Sequence, residues 1–295
     1  MQREQRIISG KLLEANFYPI FSDGRRMPRG PKIKKSTAAQ EKYNRQKSVK
    51  RAIRDINTNF DTDDLFLHPT YAPADAPQTK EEAKRNIDNY RRRIETKRIS
   101  ELKRFEKLLS ADPQNEEYRK RIRILKKPFR WYYRLEQVTY KSGPYAGRVN
   151  YHYHFFVTGG IDRDTIEDMW PYRINADRFR PDKFGAEAAA RYATKPSEKE
   201  NERVEIHHSR NLKKPRELKP KDGQISRRGV EKLARTRKED KQYWENRYPG
   251  YTFIRCFPRY NEYNGHWYVT VLMYRYENEK ASPPEWTISE WSMSR

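Results

Sequence analysis

The chain has 295 residues, with 64 Lys and Arg against 41 Asp and Glu, a net charge of +23, and a pI near 9.9. The single cysteine, Cys256, excludes an intrachain disulfide and a cysteine zinc site, and no run approaches the roughly 18 apolar residues that span a bilayer. Met1-Gln2-Arg3-Glu4 does not open a signal peptide, so the cytoplasm is the expected compartment and no membrane partner is expected. The charge points to a polyanion, and 21 Tyr, 12 Phe and 6 Trp offer faces on which unpaired bases can stack. With 35% hydrophobic residues and a mean hydropathy of -1.23, a compact core with solvated or disordered flanks is expected.

Residues 1–54 carry 15 basic and 4 acidic side chains, a net of +11, and read as a mobile basic arm holding a short helix from Ala38 to Arg54. Asp64 to Tyr71 reads as a strand ended by Pro69. Lys80 to Leu109 is helical, with Ala83, Ile87, Tyr90 and Ile94 at helical spacing on one face. A second helix runs from Glu116 to Leu125 and stops at Lys127-Pro128. Phe129–Thr139 and Asn150–Thr158 form a hairpin around Lys141-Ser142-Gly143-Pro144-Tyr145-Ala146-Gly147. A helix from Asp162 to Trp170, a short strand from Tyr172 to Asp177, a helix from Phe184 to Thr194 and a strand from Val204 to His208 follow. Arg210 to Lys241 carries 13 basic and 5 acidic residues, a net of +8, with one helix from Ser226 to Trp244. Tyr251–Cys256 and His266–Tyr276 form a second hairpin. The order predicts an α+β fold, a central antiparallel sheet with helices on one face. The expected division is a basic arm over 1–54, a catalytic domain over 55–210 and a basic C-terminal α+β region over 211–295.

The chemistry concentrates in Tyr151-His152-Tyr153-His154-Phe155 and in Arg191-Tyr192-Ala193-Thr194-Lys195. Alternate strand residues share a face, so His152 and His154 form a pair of imidazoles. Reflection through the hairpin turn sets Glu136 opposite His152 or His154, on the same face. Two imidazoles and one carboxylate suit a divalent metal, Mn²⁺ or Mg²⁺. The competing view is plain: an H-x-H pair can be two polar positions of a half-exposed sheet, and Glu136 a surface residue. Residues three apart on a helix are neighbours, so Tyr192 and Lys195 lie side by side. A phenol of pKa near 10 attacks phosphorus only when cations assist it, and a metal with a lysine supplies them.

On these motifs, over roughly residues 60–215, the chain resembles the HUH endonucleases, in particular the single-tyrosine rolling-circle replication initiators of bacterial plasmids and phages. His152-Tyr153-His154 matches the family's metal motif and Tyr192-Ala193-Thr194-Lys195 its Y-x-x-K motif. Asp64 to Tyr71 occupies the place of the first family motif, from which His68-Pro69 departs. Ser209-Arg210-Asn211-Leu212-Lys213-Lys214-Pro215 looks like a segment of bacterial members. The resemblance implies that Tyr192 is the nucleophile, that Lys195 positions phosphate or metal, and that Glu136, His152 and His154 are ligands. Arg134, Arg191, Arg210, Lys213 and Lys214 are the expected nucleic-acid contacts. Ala188 and Ala189 stand where two-tyrosine members carry a second tyrosine, so one nucleophile is implied.

The expected function is origin nicking of single-stranded DNA or an extruded hairpin, giving a 5′-phosphotyrosyl enzyme and a 3′-hydroxyl for a host polymerase. The chain has no G-x-x-x-x-G-K-[ST] motif, so unwinding falls to a host helicase, supercoiling or the hairpin itself. A transposase or relaxase with the same chemistry is the nearest alternative, and a non-catalytic nucleic-acid-binding protein the more distant one.

Overall fold

The structure, a computed structural model, describes residues 1–21, 38–180, 189–191 and 205–275. Its elements in chain order are β1 (Gln2–Ser9), β2 (Leu12–Pro19), α1 (Ala38–Asn59), β3 (Leu65–Leu67), α2 (Lys80–Ala111), α3 (Glu116–Leu125), β4 (Trp131–Thr139), β5 (Val149–Val157), α4 (Arg163–Asp168), β6 (Ala176–Arg178), β7 (Glu205–His208), β8 (Arg216–Glu217), β9 (Lys221–Asp222), α5 (Arg227–Thr236), α6 (Lys241–Arg247), β10 (Thr252–Asn261) and β11 (His266–Tyr274). The chain is α+β, with antiparallel sheets and helices. Among the described residues no helix is long and apolar enough to cross a membrane. The expected helix from Phe184 to Thr194, with Tyr192, and Lys195 just beyond it, lies outside the described residues apart from a helical stretch at 189–191.

The chain divides into two units, one built on 59–180 and 205–212, the other on 1–21, 38–58 and 213–275. The first holds a five-stranded sheet in the order β6-β3-β5-β4-β7. Period-two alternation in β5 sends Tyr151, Tyr153, Phe155 and Val157 to one face. There they join Leu65, Leu67, Tyr133 and Leu135, packed on Ala83, Ile87, Tyr90 and Ile94 of α2. Those four are the residues whose spacing marks the helix's apolar face. Thr79 caps α2 by accepting from the Glu82 amide at 3.1 Å. The Tyr153 hydroxyl donates to the Ala83 carbonyl at 2.7 Å and lies 2.9 Å from the Tyr71 hydroxyl, so two buried phenols have partners. Arg98, also buried, donates to the carbonyls of Thr158, Leu125 and Lys127 at 3.2, 3.0 and 3.0 Å. The latter two are carbonyls that the end of α3 leaves without a helical donor.

The second unit corrects the expected mobile arm and the separate C-terminal region. Residues 2–19 are the β1–β2 hairpin in a sheet ordered β10-β11-β2-β1-β8, with β9 also paired to β1. Leu13, Ala15 and Phe17 alternate onto one face and pack with Cys256, Val269, Val271 and Met273 against Val230 and Leu233 of α5 and Trp244 of α6. The opposite face meets α1, whose Arg54 donates to both oxygens of Glu14 at 2.9 Å. The turn joining β1 to β2 needs Gly10: its φ is +58°, and a Cβ there would lie 2.1 Å from the Asn57 carbonyl oxygen. Net charge averaged over 54 residues hid a strand pair whose charges are matched within the unit. Arg3 binds Asp222 at 2.7 Å, and Arg247 binds Glu4 at 2.6 Å. The single helix expected over Ser226–Trp244 is two, because Asp240 caps a new one by accepting from the Tyr243 amide at 3.0 Å.

Candidate metal centre

The other face of the central sheet carries Phe66, His152, His154, Phe156, Arg134 and Glu136. The β4–β5 register sets Glu136 directly opposite His152 and Arg134 opposite His154. Glu136 opposite His152 is one of the two positions that reflection through the turn allows. On the far side of β5, β3 pairs Leu65 with Val157, Phe66 with Phe156 and Leu67 with Phe155. One step further brings His68 level with His154. The bridge between Thr70 and His152 holds the same register past Pro69. Pro69 has no amide hydrogen to offer, yet its carbonyl accepts from the Tyr153 amide at 3.0 Å, so the chain stays beside β5.

Three imidazoles therefore converge. His68, His152 and His154 each offer one ligand atom, and these atoms all lie within 4.8 Å of one another. The His152 and His154 rings stand 4.7 Å apart at 83°, and the His68 ring is 5.5 Å from His154 and 5.9 Å from His152. Phe66, two residues before His68 on the same strand, stacks on Phe156 at 4.1 Å and abuts the His68 ring at 4.3 Å, so the two phenylalanines border the imidazoles along the strands. Glu136 meets the group through His154, with Oε2 at 3.1 Å from Nε2. Burial alone would raise the Glu136 carboxyl. The hydrogen bond to His154 and the charge of Arg134 outweigh it and hold the carboxyl below the usual range. The group is thus a carboxylate at neutral pH, beside buried His154.

His68 is the residue that sequence reasoning left out. Its signal was a third histidine, within the segment Asp64 to Tyr71 that pairs with β5. Three imidazoles beside a carboxylate fit a divalent first-row transition ion such as Mn²⁺ better than Mg²⁺, which prefers oxygen ligands.

The expected nucleic-acid contacts fall in different settings. Arg134 is 2% exposed, with its guanidinium 3.8 Å from Glu136, so its charge acts inside the site and not on an outer surface. Arg191, Arg210, Lys213 and Lys214 are exposed. Around Arg210 the neighbouring polar residues hold the chain to the start of β4. The Ser209 hydroxyl accepts from the Trp131 amide at 3.3 Å, and the Asn211 side chain donates to the Phe129 carbonyl at 2.9 Å. His207 lies against Tyr133 at 4.9 Å and contacts Glu205 at 2.9 Å, and His208 stacks on Tyr132. Neither belongs to the three-imidazole group. Tyr192 and Lys195 lie outside the described residues. Compared with models of protein families, with curated proteins and with solved structures, the chain matches none.

Proposed function

We propose that this chain is a single-tyrosine HUH endonuclease that nicks single-stranded DNA at an origin and starts rolling-circle replication. The observation that carries the reading is the His68, His152 and His154 trio on one face of an antiparallel sheet, with the Glu136 carboxylate against it. These imidazoles would hold Mn²⁺ or Mg²⁺, which when bound supplies Lewis-acid polarisation of the scissile phosphate. Glu136 fixes the orientation of the His154 ring and adds negative charge that favours a dication.

Tyr192 is the proposed nucleophile. Its phenolic oxygen forms a bond to phosphorus and gives up its proton, while the bond from phosphorus to the 3′ oxygen breaks. The departing 3′ oxygen takes up a proton and becomes a 3′-hydroxyl, and the 5′ side stays joined to Tyr192. Lys195, three residues on, offsets the developing charge. A later attack by a 3′-hydroxyl reverses the step and rejoins strands. Arg191, Arg210, Lys213 and Lys214 neutralise DNA phosphates. A host polymerase extends the new end, and a host helicase opens the duplex.

The test is nicking of the supercoiled replicon that encodes the chain, and of its single strands, with added Mn²⁺. Wild type cuts one strand at one position, and the His152→Ala/His154→Ala variant binds DNA without cutting. Equal cutting by that variant contradicts the metal role. Binding by wild type with no cutting leaves a nucleic-acid-binding protein.

A further inference from the structure

The β10–β11 hairpin presents a second surface that the nicking chemistry does not use. On β10, Cys256 turns into the core with Val269 and Val271 of β11. Period two then sends Arg255, Phe257 and Arg259 to the opposite face, and all three are exposed. Phe257, a large apolar ring, is 40% exposed. Across the ladder Arg259 faces Tyr268, and Phe257 faces Thr270. The Arg255 guanidinium sits 5.1 Å from the Phe257 ring and that of Arg259 5.5 Å from Tyr268. β10 and β11 contain no Asp or Glu, so no carboxylate on either strand neutralises these arginines. Among the described residues, β10 is also the outermost strand of its sheet.

We infer that this face of β10–β11 is a binding platform for single-stranded DNA, with Phe257 and Tyr268 stacking bases and Arg255 and Arg259 meeting phosphates. A row of alternating cations and flat rings matches a strand whose phosphates and bases alternate in the same way. From Arg255 to Arg259 the row spans ~14 Å, enough for a short run of nucleotides. An edge strand carrying arginines merely to discourage pairing would have no need of an exposed phenylalanine between them. The inference rests on the proposal that the chain's substrate is single-stranded DNA, and it adds a holding surface separate from the imidazole group.

The experiment uses the full chain and a fluorescent oligo(dT), with binding followed by anisotropy and nicking measured on the same preparations. Phe257→Ala weakens binding about five- to 150-fold, the effect of losing one stacked base, and Phe257→Trp restores it. Arg255→Ala/Arg259→Ala flattens the plot of log affinity against log salt by about 1.4, or 0.7 per phosphate. Unchanged affinity and slope in every β10 variant overturn the platform, while nicking by wild type still judges the endonuclease reading by itself. A tenfold preference for RNA or duplex DNA that depends on Phe257 overturns the choice of occupant.

Discussion

Replacing Asp64 with asparagine perturbs the junction that sets β3 beside β5. The Asp64 carboxylate accepts from the Gly159 amide at 2.9 Å through one oxygen and from the Asp61 amide at 2.8 Å through the other. It thus joins the end of β5 to the start of the strand that delivers His68. Burial, only partly offset by those two amides, raises its pKa from 3.8 to about 6. A carboxyl raised on folding destabilises the charged native state, here by ~3 kcal/mol at pH 7. The cost fades as pH falls through 6 towards 4, since the native state then takes up its proton before the unfolded chain does. Asparagine carries no charge, but it keeps one acceptor where two are needed. Glu136 and Glu205, both held low in the native state, lose stability as pH falls. The informative quantity is therefore the difference between the two chains. Urea unfolding at pH 7, 6, 5 and 4 should show wild type gaining ~2 kcal/mol on Asp64→Asn over that range. A difference that stays flat, or that moves the other way, refutes the assignment of a buried, strained carboxylate.

Three further outcomes follow from the contacts. Glu136→Ala should weaken Mn²⁺ binding by about 10- to 100-fold in calorimetry, as loss of a carboxylate behind a ligating histidine does, and His68→Ala should weaken it more; equal binding by His68→Ala would remove it from the ligand set. Gly10→Ala should lower stability by at least ~1 kcal/mol in thermal unfolding, from the left-handed backbone and the Asn57 carbonyl together. Deleting residues 1–21 takes β1 and β2 from between β11 and β8, so proteolysis should find the β10–β11 hairpin exposed; a truncated chain as resistant as wild type would contradict this sheet order.

The sequence carried the local information well. The alternation of Tyr151-His152-Tyr153-His154 told which side chains share a face, because period two survives whatever the sheet packs against. The apolar spacing of α2 was equally plain, and its four marked residues lie in the core. Less visible were pairings between distant segments. His68 enters the site because β3 continues β5's register through a proline, and no local pattern shows which far strand lies alongside. For the same reason β1 and β2 read as part of a basic arm. Their matching partners, Asp222 and Arg247, lie more than two hundred residues away. Arg134 illustrates a third limit, since strand position gives a side chain's face but not whether other elements cover it.

The most direct measurement is the fate of the 5′ end. The 295-residue chain is incubated with Mn²⁺ and single strands of the DNA that encodes it, digested, and analysed by mass spectrometry. The expected product is one peptide carrying a 5′-phosphonucleotide on Tyr192, absent in Tyr192→Phe, which removes one oxygen and leaves DNA binding in place. An adduct on Tyr132, Tyr133, Tyr153 or any other tyrosine would contradict the site, and cut strands with unattached 5′-phosphates would contradict covalent catalysis.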